Sequence, residues 1–159
     1  MPAAMSAATD IRPVKTRDDL SFCYALMRQL RPHLTEFSDF IRRWEIQKSE
    51  SYRLVALWDG GQVVALAGYR IQHNLVHDRH LYVDDLVTRD DRRSHGYGEA
   101  LMDWLKDETQ RLECGKLILD TPLSNVLGHR FYYRQGLVAS ALRFNIPLSA
   151  EAAPNSAVA

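Results

Sequence analysis

The chain has 159 residues, 46% of them hydrophobic and 25% charged, amounts that suit one globular domain with a real core. Twenty basic residues balance twenty acidic ones, so the basic footprint of a nucleic-acid-binding domain is absent, and no apolar run approaches the ~18 residues that suggest a membrane span. Two cysteines without a framework pattern, and a start that lacks a basic-then-apolar leader, read as a cytoplasmic protein with reduced thiols.

Residues 1–9 and 149–159 are rich in Ala, Ser and Pro and read as flexible tails around a single domain at 10–148. A short strand candidate at 11–15 is followed by Thr16 or Asp18 as the cap of an amphipathic helix. That helix carries Leu20, Cys23, Tyr24, Met27, Leu30 and Leu34 at three-and-four spacing. Pro32 ends or bends it, and Thr35 or Ser38 starts a second helix with Phe37, Phe40, Ile41 and Trp44 on one side. Strands at 52–58 and 63–71 flank Asp59-Gly60-Gly61-Gln62, where two glycines supply the positive φ of a tight hairpin. Residues 72–79 read as a loop and 80–87 as the next strand of the meander, ending near Thr88. A strong amphipathic helix at 98–113 turns Leu101, Trp104, Leu105 and Leu112 inward. A short buried strand at 116–120, a helix at 125–135 closed by Gly136 and a final strand at 137–147 complete the chain. The order is a mixed α/β (α+β) pattern whose later half is a β-α-β unit.

The strand at 80–87 passes through a polar bend into Arg93-Ser94-His95-Gly96-Tyr97-Gly98-Glu99 and directly into a helix. A helix start presents unpaired N–H groups and the positive end of the macrodipole, and glycines remove the Cβ atoms that would hold a phosphate away from the backbone. Ser94 and the arginines add donors and charge, so the turn is an anion cradle. Two glycines alone also describe an ordinary tight turn. The third glycine of a dinucleotide site and the Gly-Lys-Ser/Thr of a P-loop are missing.

Asp84 and Asp85 lie on the strand that leads into this cradle, and alternation sends their side chains to opposite faces, so at most one points at the site. They are either a proton acceptor or carboxylates that order a loop. His73, His77 and His80 share a loop without ligand spacing and read as polar loop residues, so no metal is expected. The mixed charges of Arg28, Arg31, His33, Glu36, Asp39, Arg42 and Arg43 are the solvated face of the first helix pair.

Residues 93–98 match an Arg/Gln-x-x-Gly-x-Gly/Ala signature, and here the chain resembles the GNAT superfamily of N-acetyltransferases. The resemblance extends over residues 11–146 in element order. It includes a second block, Asn125-Val-Leu-Gly-His-Arg-Phe-Tyr-Tyr-Arg-Gln-Gly136, with Asn125, Gly128, Phe131 and Tyr132 at the family's spacing. What it implies is the GNAT fold, a mixed, mostly antiparallel sheet with splayed central strands flanked by helices, and acetyl-CoA as cosubstrate. In that picture Arg93, Ser94, His95, Gly96, Tyr97, Gly98 and Glu99 grip the pyrophosphate, beside Thr88, while Asn125 and Gly128 meet the pantetheine arm.

An acceptor amine with a pKa near ~10 must lose a proton before it attacks. Asp84 stands where polyamine-acetylating relatives carry a glutamate and is the preferred base, directly or through water, with Asp85 second. Backbone N–H groups at Leu86 and Val87 are candidate donors to the oxyanion, and the motif position of Tyr132 implies a general acid for the leaving thiolate. The expected function is acetyl transfer to a primary amine of a small molecule or peptide, and the resemblance also suggests a homodimer. The alternatives are a non-catalytic acyl-CoA-binding regulatory module, which has no need of both Asp84 and Tyr132, and a protein-interaction domain without affinity for CoA.

Overall fold

In a computed structural model, which describes residues 9–152, local signals set most element ends. Thr16 separates β1 (Asp10–Pro13) from α1 (Arg17–Leu30) through a reciprocal capping box: its hydroxyl accepts from the Asp19 N–H at 3.1 Å, and the Asp19 carboxylate accepts from the Thr16 N–H at 3.0 Å. The helix stops at Leu30, ahead of Pro32, so Leu34 joins the core from the connecting loop and not from the helix. α2 (Phe37–Ser49) follows, then the hairpin of β2 (Tyr52–Asp59) and β3 (Gln62–Asn74), turned by Gly60 and Gly61 at φ 58° and 78°.

β3 and β4 (Asp78–Thr88) run further toward each other than the sequence suggests. Asn74 closes the turn by accepting from the N–H groups of Val76 and His77, so the expected eight-residue loop shrinks and His80 is buried within β4. α3 (Tyr97–Arg111), β5 (Lys116–Leu119) and α4 (Val126–Arg134) complete a sheet of order β1-β2-β3-β4-β5, antiparallel except for the parallel β4–β5 pair.

Each face of the sheet has its own core. Leu20, Met27, Phe40, Trp44, Leu54, Leu66 and Val87 pack between the sheet and α1–α2. Leu57, Val64, Leu81, Val83, Leu86, Leu101 and Leu105 pack against α3, with Tyr132 of α4. Truncating a fully buried leucine of this kind to alanine costs about 2–5 kcal/mol.

The expected final strand does not form. Residues 137–147 run free of turns and bends but pair with no strand of the sheet, which ends at β5. Ala150–Ala152 is a short 3-10 turn. Residues 1–8 and 153–159, most of the two expected tails, lie outside the described residues. No helix among the described residues is long and apolar enough to cross a membrane.

Candidate active site

The site is built on a break in strand register. Gly68 pairs with Asp85, but Tyr69 pairs with Val83, which leaves Asp84 as the extra residue of a β-bulge. Before the bulge Leu81 and Val83 pack on the α3 face; after it Leu86 does. The parity change turns both Asp84 and Asp85 toward α1 and α2. This corrects the expectation of opposite faces, since alternation holds only along an unbroken strand. Gly68 permits the arrangement. A Cβ there would lie 2.0 Å from the Tyr52 hydroxyl and 2.7 Å from the Asp85 carboxylate, two groups that bond each other at 2.7 Å.

Although neighbours, the two carboxylates have different surroundings. Asp85, 8% exposed, accepts at one oxygen from Arg31 Nε (3.0 Å) and Nη2 (2.8 Å) and at the other from Tyr52. Arg31 is the C-cap residue of α1 and also donates to the Asp84 carbonyl at 2.9 Å, so this cluster pins α1 to the bulge. Burial and the adjacent Asp85 push the Tyr52 hydroxyl well above its ordinary pKa. Asp84 accepts at Oδ2 from Arg70 Nε at 2.8 Å, while its Oδ1 has no hydrogen bond among the described residues. Burial holds its carboxyl above the usual aspartate range, against the opposing pull of Arg70.

Beyond the bulge the sheet opens. β5 pairs with β4 only from His80↔Lys116 to Val83↔Leu119, so among the described residues Asp84 to Thr88 have no strand on that side. The Arg89 N–H donates to Val64 O at 2.9 Å. Alternation therefore turns the Val87 N–H toward β3 and those of Leu86 and Thr88 toward the open edge. Of the two backbone N–H groups expected as oxyanion donors, that of Leu86 faces the open edge and that of Val87 faces β3.

The cradle follows at once. A 3-10 turn at Asp90–Arg92 and a left-handed Ser94 (φ 66°) lead to Gly96, the left-handed N-cap of α3 (φ 80°), and no side chain caps the helix start. The orphan N–H groups of that first turn are thus left to an outside acceptor. The His95 ring sits at 3.0 Å from the carbonyls of Arg92 and Arg93 and stacks on Tyr97, whose hydroxyl donates to Asp59 of the β2–β3 hairpin. Arg93 pairs with Asp90 in water, a contact weak enough to yield to a phosphate. Glu99 is exposed in the first turn.

Gly98 connects the two sequence blocks: a Cβ there would come within 3.3 Å of the Phe131 ring of α4. Asn125 caps α4 by accepting from the Gly128 N–H at 3.1 Å, and its amide donates to Thr121 at 3.1 Å. Gly128 is required by this cap, since a Cβ would stand 2.3 Å from the Asn125 amide. Tyr132 is 6% exposed within the α3-side core, and burial pushes its hydroxyl up to about 12. Tyr132 and Asp84 thus lie on opposite faces of the sheet.

Several members escaped the sequence reading. Arg31 lies in a mixed-charge stretch that reads as a solvated face, but Asp85, which it bonds, is 54 residues away. Arg70 is a lone cation in an apolar strand, and Gly68 a glycine in a strand interior, a pattern that signals close approach. Tyr82, two positions before Asp84, donates to Asp120 just past β5, and Arg143 bonds both. No local pattern marks that trio. Among the described residues no group of three His, Cys, Asp or Glu is placed to hold a metal ion.

The model of the Acetyltransferase (GNAT) family matches residues 16–137. YhdJ of Bacillus subtilis, an uncharacterized N-acetyltransferase, is 30% identical over 141 residues that cover 87% of this chain and 98% of that protein. The aminoalkylphosphonate N-acetyltransferase of Salmonella typhimurium is 26% identical over 149 residues, 88% of this chain and 96% of that protein. Among solved structures, the aminoglycoside N-acetyltransferase AAC(6')-Iy in complex with CoA matches with a TM-score of 0.78 at 16% identity, over 92% of this chain and 99% of that one, a likeness of fold.

Proposed function

The chain belongs to the GNAT family of acetyltransferases, and from that premise we propose that it moves the acetyl group of acetyl-CoA to the primary amine of a small molecule or peptide by direct attack. It is an acyltransferase with acetyl-CoA as cosubstrate. The residues present suit that molecule: an uncapped helix start behind a left-handed glycine for the pyrophosphate, and an unpaired β4 edge for the arm. When bound, acetyl-CoA supplies a thioester carbonyl to the attacking amine.

The observation that carries the reading is the bulge, which aims a partly buried carboxylate with one vacant oxygen beside the open edge. Asp84 Oδ1 receives the proton of the ammonium. Its raised pKa makes it a better acceptor near neutral pH than an ordinary aspartate. Asp85, with both oxygens occupied, serves as the anchor of α1 and not as a second base. The Leu86 N–H donates to the charge that grows on the carbonyl oxygen. Tyr132, held protonated by burial, donates to the departing sulfur. Thr88, Arg93 to Glu99, Asn125 and Gly128 form the donor side.

Arg31, Arg70 and Arg143 stand near the bulge, but each is paired with an aspartate, so the site carries no surplus of one charge to select the acceptor. The acceptor panel therefore spans aminoalkylphosphonates, aminoglycosides, amino acids and peptides, including the acceptor class named for the Salmonella relative. Free Cys23 and Cys114 support a reducing, cytoplasmic setting. The test is thiol release from acetyl-CoA across that panel, beside the Asp84→Asn and Tyr132→Phe variants. At least one amine is turned over by the native chain, and Tyr132→Phe slows it by about 10- to 100-fold. Tyr132→Phe with an unchanged rate constant would remove the acid role.

A further inference from the structure

The first strand ends before its neighbour does. β1 pairs with β2 as far as Pro13↔Val55, with one more bond from the Val14 N–H to Leu54 O, after which the chain turns into α1. The start of β2, Tyr52 and Arg53, therefore has β3 on one side and, among the described residues, no strand on the other. A cavity of about 800 Å³ lies at this edge, a volume typical of small-molecule sites. It reaches both faces of the sheet, lined by Trp44 of α2 and Tyr52 on one and by Tyr69 of β3 and Trp104 of α3 on the other. No lining residue belongs to β4, to the turn into α3 or to α4, so the cavity is distinct from the cradle and from the open β4 edge.

Beside these aromatic walls the lining is charged, and the charge does not balance. Lys15, Lys48, Arg53 and Arg111 stand with Asp107 and Glu108. Glu108 is buried and already satisfied: Arg111 donates to both of its oxygens, at 2.8 and 2.7 Å, and the Tyr69 hydroxyl donates at 3.0 Å. Arg53 lies 3.6 Å from the same carboxylate, a looser contact half in water. Setting Arg111 against Glu108 leaves Lys15, Lys48 and Arg53 against the exposed Asp107. The acids near the two lysines are committed elsewhere, Asp19 to the capping box of α1, Glu45 to Arg17 and Glu50 to Arg70. The Lys48 ammonium lies instead 3.8 Å from the centre of the Trp44 ring. In a chain whose charges cancel overall, this edge holds a local surplus of cations.

We propose that this edge cavity binds a small aromatic acid, its flat body between the aromatic walls and its carboxylate among Lys15, Lys48 and Arg53. The match is one of shape and of charge. Rings pack well against Trp and Tyr, and a carboxylate that enters a cationic rim forms charge-assisted hydrogen bonds without displacing an acid already there. A neutral ring keeps the packing and loses the ionic half, whereas a bare inorganic anion keeps the charge and loses the walls. Tyr52 joins the cavity to the bulge, since it lines the one and its hydroxyl donates to Asp85 of the other at 2.7 Å. The occupant thus sits one side chain from the carboxylate that pins α1.

The test is a titration of the full chain with naphthoate in the presence of CoA, which keeps the cradle occupied, followed through the indole N–H resonances. Those of Trp44 and Trp104 shift in a saturable way, while that of Trp58, which packs on Phe22 and Arg12 outside the cavity, stays in place. Naphthoate binds at least about 10-fold more tightly than the neutral naphthamide of the same shape. The double variant Lys48→Gln, Arg53→Gln changes two exposed side chains, keeps its circular dichroism spectrum and weakens naphthoate by at least about 10-fold, with the naphthamide little affected. No saturable shift at Trp44 and Trp104, equal affinity for acid and amide, or a double variant that binds naphthoate as before would each overturn the proposal.

Discussion

The bulge of β4 and the segment that follows α4 are opposites in what they leave unsatisfied. At the bulge the polar demand is high and is met almost wholly within one chain: Asp85 has three donors, Arg31 bonds both its carboxylate and the Asp84 carbonyl, and Tyr52 reaches its partner through the space left by Gly68. Asp84 Oδ1 is left over among the described residues. Along the segment after α4 the demand is apolar and is left unmet among the described residues. A vacant polar atom inside a satisfied network marks a place for chemistry, whereas a bare apolar row marks a place for another surface.

The sharpest way to break this contrast is Asp84→Asn. The network around Asp85 stays, so the fold is retained, while turnover falls by about 10²- to 10⁴-fold in steady-state assays. Before substitution, the acid limb of kcat/KM lies above the ordinary aspartate value of 3.8, because burial disfavours the ionised form. The sign for stability is the reverse: a raised carboxyl stabilises the fold most at low pH, and that contribution is lost as pH rises through its folded pKa. A profile with its limb at or below 3.8 would point away from Asp84.

Asp85→Ala comes next and acts on folding. It leaves the Arg31 guanidinium without its carboxylate, a loss of about 3–5 kcal/mol in chemical denaturation. Gly68→Ala probes the same cluster from the other strand. Its new methyl must displace the Tyr52 hydroxyl or the Asp85 carboxylate, at about 1–3 kcal/mol. If Gly68→Ala is silent while Asp85→Ala is severe, the close approach of β2, β3 and β4 is looser than the geometry indicates. Asn125→Ala has the smallest effect, about 1 kcal/mol from the lost cap of α4. A rise in KM for acetyl-CoA well beyond that loss would give Asn125 a direct role with the arm as well.

The same contrast separates what the sequence revealed from what it did not. The Thr16 cap, the Gly60-Gly61 turn, α3 and the Asn125-capped α4 were legible because each is fixed by residues a few positions apart. The glycine turn into the start of α3 was legible for the same reason. The bulge was not, because it depends on Gly68, Tyr52 and Asp85 meeting across three strands, and one inserted residue reverses every later side chain. The pairing of Arg70 with Asp84 across β3 and β4 was equally hidden. For residues 137–147 the sequence reads as a final strand, but strand pairing depends on contacts far along the chain, and none forms there among the described residues.

The bond from Tyr97 to Asp59 bears on how the donor arrives. It ties the first turn of α3 to the hairpin between β2 and β3, with the Tyr97 ring buried beneath the His95 stack. The cradle's shape is therefore set before any phosphate reaches it. Coenzyme association then loses little conformational entropy in the protein, and calorimetry should show an enthalpy-led binding step without the large ordering term of a loop that folds around its ligand.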